Sequence, residues 1–478
     1  MLKNTRVERA MNLAFLITLF FMPIETAMTL RLGSLSPYKI SFLVLIGLML
    51  YTTFDQGPMV FMRSFIEGFK RYKWAIITIV LYFAFDIISL AWTYDKTFSL
   101  KKYVTIGPMV IMAIYACYYY YGPRVEKALR KERLRAMSLA MALVALFLSL
   151  LTWLTYLVFS RTYYILTLSL QSDYNQYILP ILLGYICGIY YINTMEESWH
   201  RYGLFLGFSM IIMPIFYLSG SRRTMVLYLG VYAILALAFM ITNFSRKKGG
   251  FSIILSLVLI GFVLVGHKMV IDGFGYYSNH VYREMEEEAK KLGINAPSAQ
   301  MDKSDGTIHG FRLEQDANWK ESSLESGEAM GRRKALWTIA MNNIKSFSKK
   351  ELLIGRGGSY QRDMYREESA RELLFADGTT DMGQDFHPHS MLILEMVNGG
   401  IIKLGLCLAF VLGIGIYDII LLVRKNYQEF VMVSAYGGVF LANQLIDSIY
   451  GILQNRLTWI FLFIVLGALG IGSRRKKR

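Results

Sequence analysis

Apolar runs of about 16 to 28 residues recur along the chain, mostly separated by short polar connections. A bilayer core takes about 20 apolar residues as helix. The runs therefore predict spans over 10–30, 38–54, 74–92, 104–121, 136–159, 177–193, 203–219, 224–243, 251–267, 396–423, 429–447 and 457–472. That is an all-α polytopic membrane protein of about twelve helices. The start, MLKNTRVERAMNLAFLITLFF, has the charged and apolar regions of a signal peptide. No clear small-residue cleavage site follows, and a second apolar run comes soon after, so it reads as an uncleaved first span.

One polar interval breaks the rhythm. Residues 268–388 separate the ninth and tenth spans, long enough for a small, mainly helical subdomain. The expected organisation is 1–267 (spans 1–9), 268–388 (the loop) and 389–478 (spans 10–12 with a basic tail). Within the loop, YREMEEEAKKLG is a charged helical stretch with i,i+4 pairs such as Glu286 with Lys290. NAPSAQMDKSDGTIHG is rich in turn formers. In GRRKALWTIAMNNIKSF, Leu336, Ile339, Ala340 and Ile344 fall at helical spacing and predict a packed face.

Charge fixes the expected sidedness. The formal net charge is +16, which in a soluble protein would suggest nucleic acid. Here about 24 basic residues fall in the short connections of one side, and about nine in those of the other. Positive loops stay cytoplasmic, so both termini are expected inside and the long loop outside, with the excess charge meeting anionic lipid. Cys117, Cys187 and Cys407 all lie in apolar runs. No disulfide framework or zinc site can be read from them.

Four places carry candidate chemistry. In FYLSGSRRTMVLYL, Arg222 and Arg223 occupy a tight turn on the expected outer side. A flanking arginine is commonly a snorkelling anchor, but the outer face is the wrong side for that under the charge rule. The pair favours an anionic ligand, for which the guanidinium fork suits phosphate oxygens. Arg332 and Arg333 in GRRKALW precede Trp337, where the plain alternative is a solvated helix face. In QSDYNQYILP, Asp173 and Asn175 open the sixth span; Asp173 suits a helix cap, and contact with sugar hydroxyls is the alternative. Finally, DFHPHSMLILEMVNGG puts His387 and His389 around Pro388. The proline holds His387 extended, and His389 falls at or just before a helix N-terminus, where the dipole suits an uncharged, proton-accepting imidazole. His280, His309 and Asp385 complete no recognisable metal pattern with the pair, so no metal is expected.

Together these elements resemble the superfamily of O-antigen ligases and Wzy-type polysaccharide polymerases. The resemblance rests on SGSRRTMVLYL, GRRKALWTIA, LLIGRGGSY, HPHSMLILEMVNGGIIKLGL and the SDYNQ stretch, over most of residues 75–470. It implies a bacterial glycosyltransferase of the cytoplasmic membrane, without cofactor or metal and with its active site on the outer face. Such an enzyme moves glycan from undecaprenyl diphosphate to an acceptor hydroxyl with inversion. Membrane lipid, the acceptor glycan, a chain-length regulator and a flippase are the implied partners, and nucleic acid is not. By motif, His389 corresponds to the catalytic base, and Arg222 (or Arg223) and Arg333 to diphosphate ligands. Asp173, Asn175, Arg332 and His387 are left as substrate-binding or supporting residues. His387 has no counterpart in the family, and Ser390 stands where Asn is commoner. Polymerase is favoured over ligase. A transporter of lipid-linked glycan is the alternative from another class, kept open by Asp86 and Asp447 in apolar runs.

Overall fold

The computed structural model describes residues 5–27, 35–159, 174–195, 199–218, 224, 226–235, 327–367, 370, 387–448 and 451–471, with isolated positions at 258, 261, 288 and 291. Side chains at several helix ends, those of Arg332 and Arg333 among them, are not described. Among the described residues the secondary structure is helical: α1 (Thr5–Ala27), α2 (Pro37–Gln56), α3 (Met59–Ser89), α4 (Lys96–Val104), α5 (Gly107–Tyr121), α6 (Lys127–Phe159), α7 (Tyr174–Asn193), α8 (Trp199–Leu218), α9 (Val226–Leu235), α10 (Gly327–Lys345), α11 (Lys349–Ile354), α12 (Tyr360–Asp363), α13 (Met391–Val423), α14 (Tyr427–Asp447) and α15 (Arg456–Ile471).

Eight described helices are long and apolar enough to cross a membrane, and three shorter apolar helices include α9 and α15. Large apolar side chains face outward along them, among them Leu43, Val80, Ile88, Leu412 and Ile419, each more than half exposed. Apolar surface of that extent is stable against lipid and aggregates in water. The chain is a helical, multi-pass membrane protein. The predicted span 251–267 lies outside the described residues apart from Val258 and Gly261, as do the stretches 282–293 (apart from Glu288 and Lys291) and 295–310 of the loop.

The chain divides into two compact units. The first comprises residues 1–15, 46–134 and 321–478. Its centre is α15, whose residues Leu457–Ile471 are all buried, packed on α5, α13 and α14. α13 in turn packs on α3, which packs on α5. At one end of this bundle the last carbonyls of α5 and α15 meet arginines: Arg130 donates to Tyr120 O (2.9 Å) and Gly470 O (3.2 Å), and Arg133 to Tyr119 O and to Glu8 (2.9 Å). Helix C-termini leave such carbonyls without intrahelical partners. Every segment meeting there belongs to the more basic set of connections. At the opposite end, residues 90–103 meet residues 355–363, segments the charge pattern assigns to the other side.

The second unit comprises residues 16–45 and 135–320. There α7 packs against α8 and is almost wholly buried. Gly184 and Gly188 allow this approach: a Cβ at the first would strike Met141 O and at the second the Phe208 ring. Small residues at helix contacts are the usual device where lipid removes the hydrophobic drive to associate. Tyr177 donates to Leu148 O (3.0 Å), and Trp153 to Ile211 O (2.9 Å).

Candidate functional site

The first unit concentrates the described candidate chemistry at the start of α13. Ser390 is the extended N-cap residue, and Met391 begins the helix. His389 therefore precedes the N-cap, where the sequence puts it, and its backbone is left-handed, with φ of 48°. A Cβ-bearing residue at positive φ is uncommon, although His tolerates it better than most. The conformation costs on the order of 1–3 kcal/mol, persists where neighbours over-determine it, and clusters at functional sites. One such neighbour is Trp337 on α10, whose indole Nε1 donates to Pro388 O at 2.8 Å.

α10 is held in turn by its predicted apolar face. Leu336, Ile339 and Ala340 are buried with Tyr360, Met364, Tyr365 and Val397, and Ile344 packs against them. Tyr365 donates to Leu336 O at 3.1 Å. The backbone of Arg333 lies in α10 one helical turn before Trp337. The Arg-x-x-x-Trp helix thus meets the His-bearing turn directly.

The glycine-rich stretch is the second clamp. α13 is interrupted at Gly400, which has φ of 62°. Next to the interruption, Val397 O accepts from the Arg356 amide (3.0 Å) and Asn398 O from the Gly357 amide (2.9 Å). Gly355, at φ of 66°, lies so close that a Cβ would overlap the Asn398 backbone. Side chains repeat the link: Asn398 Oδ1 accepts from the Gln361 amide (3.0 Å), Asn398 Nδ2 donates to Gln361 Oε1 (2.7 Å), and Lys102 Nζ donates to the same oxygen (2.7 Å). Asp95, the N-cap of α4, accepts from the Phe98 amide (2.8 Å) and pairs with Arg362 (2.9 Å). The Phe98 amide, with Arg362 behind it, holds the Asp95 carboxyl below its usual range.

Beneath the mouth lies a buried charge cluster. Lys403 sits 2.5 Å from Asp86 and 3.6 Å from Glu395, and the three side chains are at most 2 % exposed. Tyr82 donates to Glu395 at 2.6 Å, and the Ile452 amide donates to it at 3.1 Å. Buried charges survive when paired and hydrogen-bonded, and this cluster ties α3, α13 and the α14–α15 connection together. Asp86, which stood alone in the sequence, has a lysine partner.

His389, Trp337 and the backbone of Arg333 thus belong to one described site, and the half-buried His387 adjoins it. Arg222, Arg223 and Asp173 lie outside the described residues. Asn175 is in the first turn of α7 in the second unit, half-buried. Among the described residues no group of three His, Cys, Asp or Glu side chains could hold a metal ion. The motifs missed Lys102, Gln361, Glu395 and Lys403 as members of the site. The available signal was a lone charge inside an apolar run, as in GGIIKLGL and FAFDIIS. Comparison of the chain with protein-family profiles and with characterised proteins returns no match.

Proposed function

We propose that the protein is a bacterial glycosyltransferase of the cytoplasmic membrane that polymerises surface polysaccharide. It takes glycan from an undecaprenyl diphosphate carrier and passes it to an acceptor sugar hydroxyl on the outer face. The chain then crosses the membrane about twelve times with both termini inside. The observation that carries this reading is the strained His389 turn at the mouth of a membrane helix, fastened by Trp337 four residues from Arg333. A base held this way is ready to accept a hydroxyl proton. The freed oxygen attacks the anomeric carbon as the bond to the diphosphate breaks on the opposite face, which inverts the centre. Guanidinium groups of Arg333 and of Arg222 or Arg223 neutralise the departing diphosphate, an electrostatic role they fill as fixed cations.

The test is the carrier-linked glycan that accumulates when the gene is deleted and complemented with wild type or His389→Ala. A single repeat unit exposed on the outer leaflet, persisting with His389→Ala, is the expected result. Full-length polymer on the carrier would assign a ligase instead. The buried Asp86–Lys403–Glu395 cluster favours one further reading, a transporter, because intramembrane ionisable groups often mark transport paths. That reading requires the repeat unit to accumulate on the inner leaflet.

A further inference from the structure

A cleft of about 1270 Å³ opens between the α3–α4 connection and residues 348–367. It is larger than the roughly 300–1,000 Å³ of small-molecule pockets, so its dimensions suit an extended ligand. Five basic and four acidic side chains line it, a near balance of charge. That balance is wrong for a diphosphate, which calls for an excess of cations. It suits a chain of hydroxyl groups, which both donate and accept.

Two polar atoms of the lining have no hydrogen-bond partner among the described residues: the Trp92 indole Nε1, a donor, and Asp363 Oδ2, an acceptor. The other Asp363 oxygen is engaged by Arg362 at 3.1 Å. Polar atoms shielded from water are normally paired, and a sugar hydroxyl can serve either kind, accepting from the indole N–H or donating to the carboxylate oxygen. Tyr94 adds an aromatic ring that is 88 % exposed at the rim, able to pack on the apolar face of a pyranose. The cleft wall is also the clamp: Gly355 and Arg356 line it, and the Arg356 amide holds Val397 of the helix that His389 opens.

We infer that this cleft is a glycan-binding subsite, built for the uncharged or weakly charged sugar chain of the acceptor. The inference rests on the glycosyltransferase reading. The chain length it accommodates is several sugars, and the diphosphate is bound elsewhere.

The experiment titrates full-length protein in lipid nanodiscs calorimetrically with a partial acid hydrolysate of the producing organism's own surface polysaccharide. Wild type should bind saturably. Trp92→Phe, which keeps the ring and loses the N–H, and Asp363→Asn should each weaken binding about ten-fold, the worth of one hydrogen bond. Tyr94→Ala should also weaken it, and its exposed position makes it the deciding variant should Asp363→Asn fail to fold. Lys101→Met, exposed and outside the cleft lining, should bind as wild type does. No binding to wild type, equal binding by wild type and all three cleft variants, or displacement of the hydrolysate by inorganic pyrophosphate would overturn the inference. Normal surface polymer in the deletion strain, with no carrier-linked glycan accumulating, would instead defeat the glycosyltransferase reading, and the titration would still report on the cleft.

Discussion

Replacing Lys403 by Met removes the one cation from a buried cluster with two carboxylates. Asp86 then keeps no ion-pair partner within 4 Å among the described residues, whereas Glu395 retains the Tyr82 hydroxyl at 2.6 Å and the Ile452 amide at 3.1 Å. With the three side chains at most 2 % exposed, water cannot substitute for the lysine. Breaking a buried pair from one side costs about 3–5 kcal/mol. For a unit of this size each kcal/mol moves Tm by about 2–4 °C, so Lys403→Met should melt roughly 6–20 °C early. Adding Asp86→Asn removes the stranded charge and should recover a large part of the loss, a coupling that a double-mutant cycle isolates. The exposed Lys101→Met is the control and should change little. The assay is thermal unfolding in one lipid or detergent system at one scan rate, since membrane proteins commonly unfold irreversibly. Lys403→Met melting within about 2 °C of wild type, or a double variant no better than the single, would refute the pairing as a structural pin.

Three further outcomes follow from the helix mouth. His389→Asn should fold and melt like wild type, because Asn accepts the left-handed backbone at φ of 48°, yet form no polymer because it carries no base; normal polymer in a complementation assay would remove His389 from the chemistry. Arg333→Lys should restore polymer poorly, because a point charge does not reproduce the guanidinium fork; full restoration in the same assay would reduce Arg333 to bulk charge. The pH dependence of Tm should show acid loss. Glu351 is held below its usual range by the Ser348 amide and hydroxyl, with Arg356 behind them, and Asp95 by the Phe98 amide and Arg362. A folded-state pKa below the unfolded values of about 4.3 and 3.9 means folding favours the ionised forms. Their stabilisation is present above those values and is lost as pH falls through the lower folded-state values. Tm should hold from about pH 7 to 5 and then decline, with Glu351→Gln flattening part of the slope; a Tm that rises on acidification would contradict the assignment.

The helical membrane architecture was legible because lipid imposes a coarse rule: apolar length specifies a span. The packed face at Leu336, Ile339 and Ala340 was legible for a similar reason, since helical periodicity reports burial directly. The mouth of α13 was legible in outline from Pro388 and the apolar run that follows, but the left-handed turn at His389 was not. One of the residues that hold it, Trp337, lies 52 residues earlier. The link between Gly355 or Gly357 and Asn398 was equally hidden. A glycine announces that something comes close, and the sequence does not say what. Asp86 read as an isolated intramembrane acid because its partner lies 317 residues away.

These long-range links bear on how a strained turn can serve as a working site. Ser390, the N-cap residue that follows His389, makes no side-chain cap bond. The constraint comes from both flanks. Trp337 fixes the carbonyl before His389, and the amides of Arg356 and Gly357 fix carbonyls two turns after it. On the same helix, Glu395 and Lys403 anchor it to α3. A base must be held to within about half an ångström of its productive position, and supports on rigid helices meet that demand better than supports on loops. Trp337, Glu395 and Lys403 therefore act through backbone geometry, whereas Gly355 and Arg356 also line the proposed glycan cleft. Loss of one of the first three should lower the rate of transfer with less effect on glycan binding, whereas loss of a ligand-binding side chain should do the reverse.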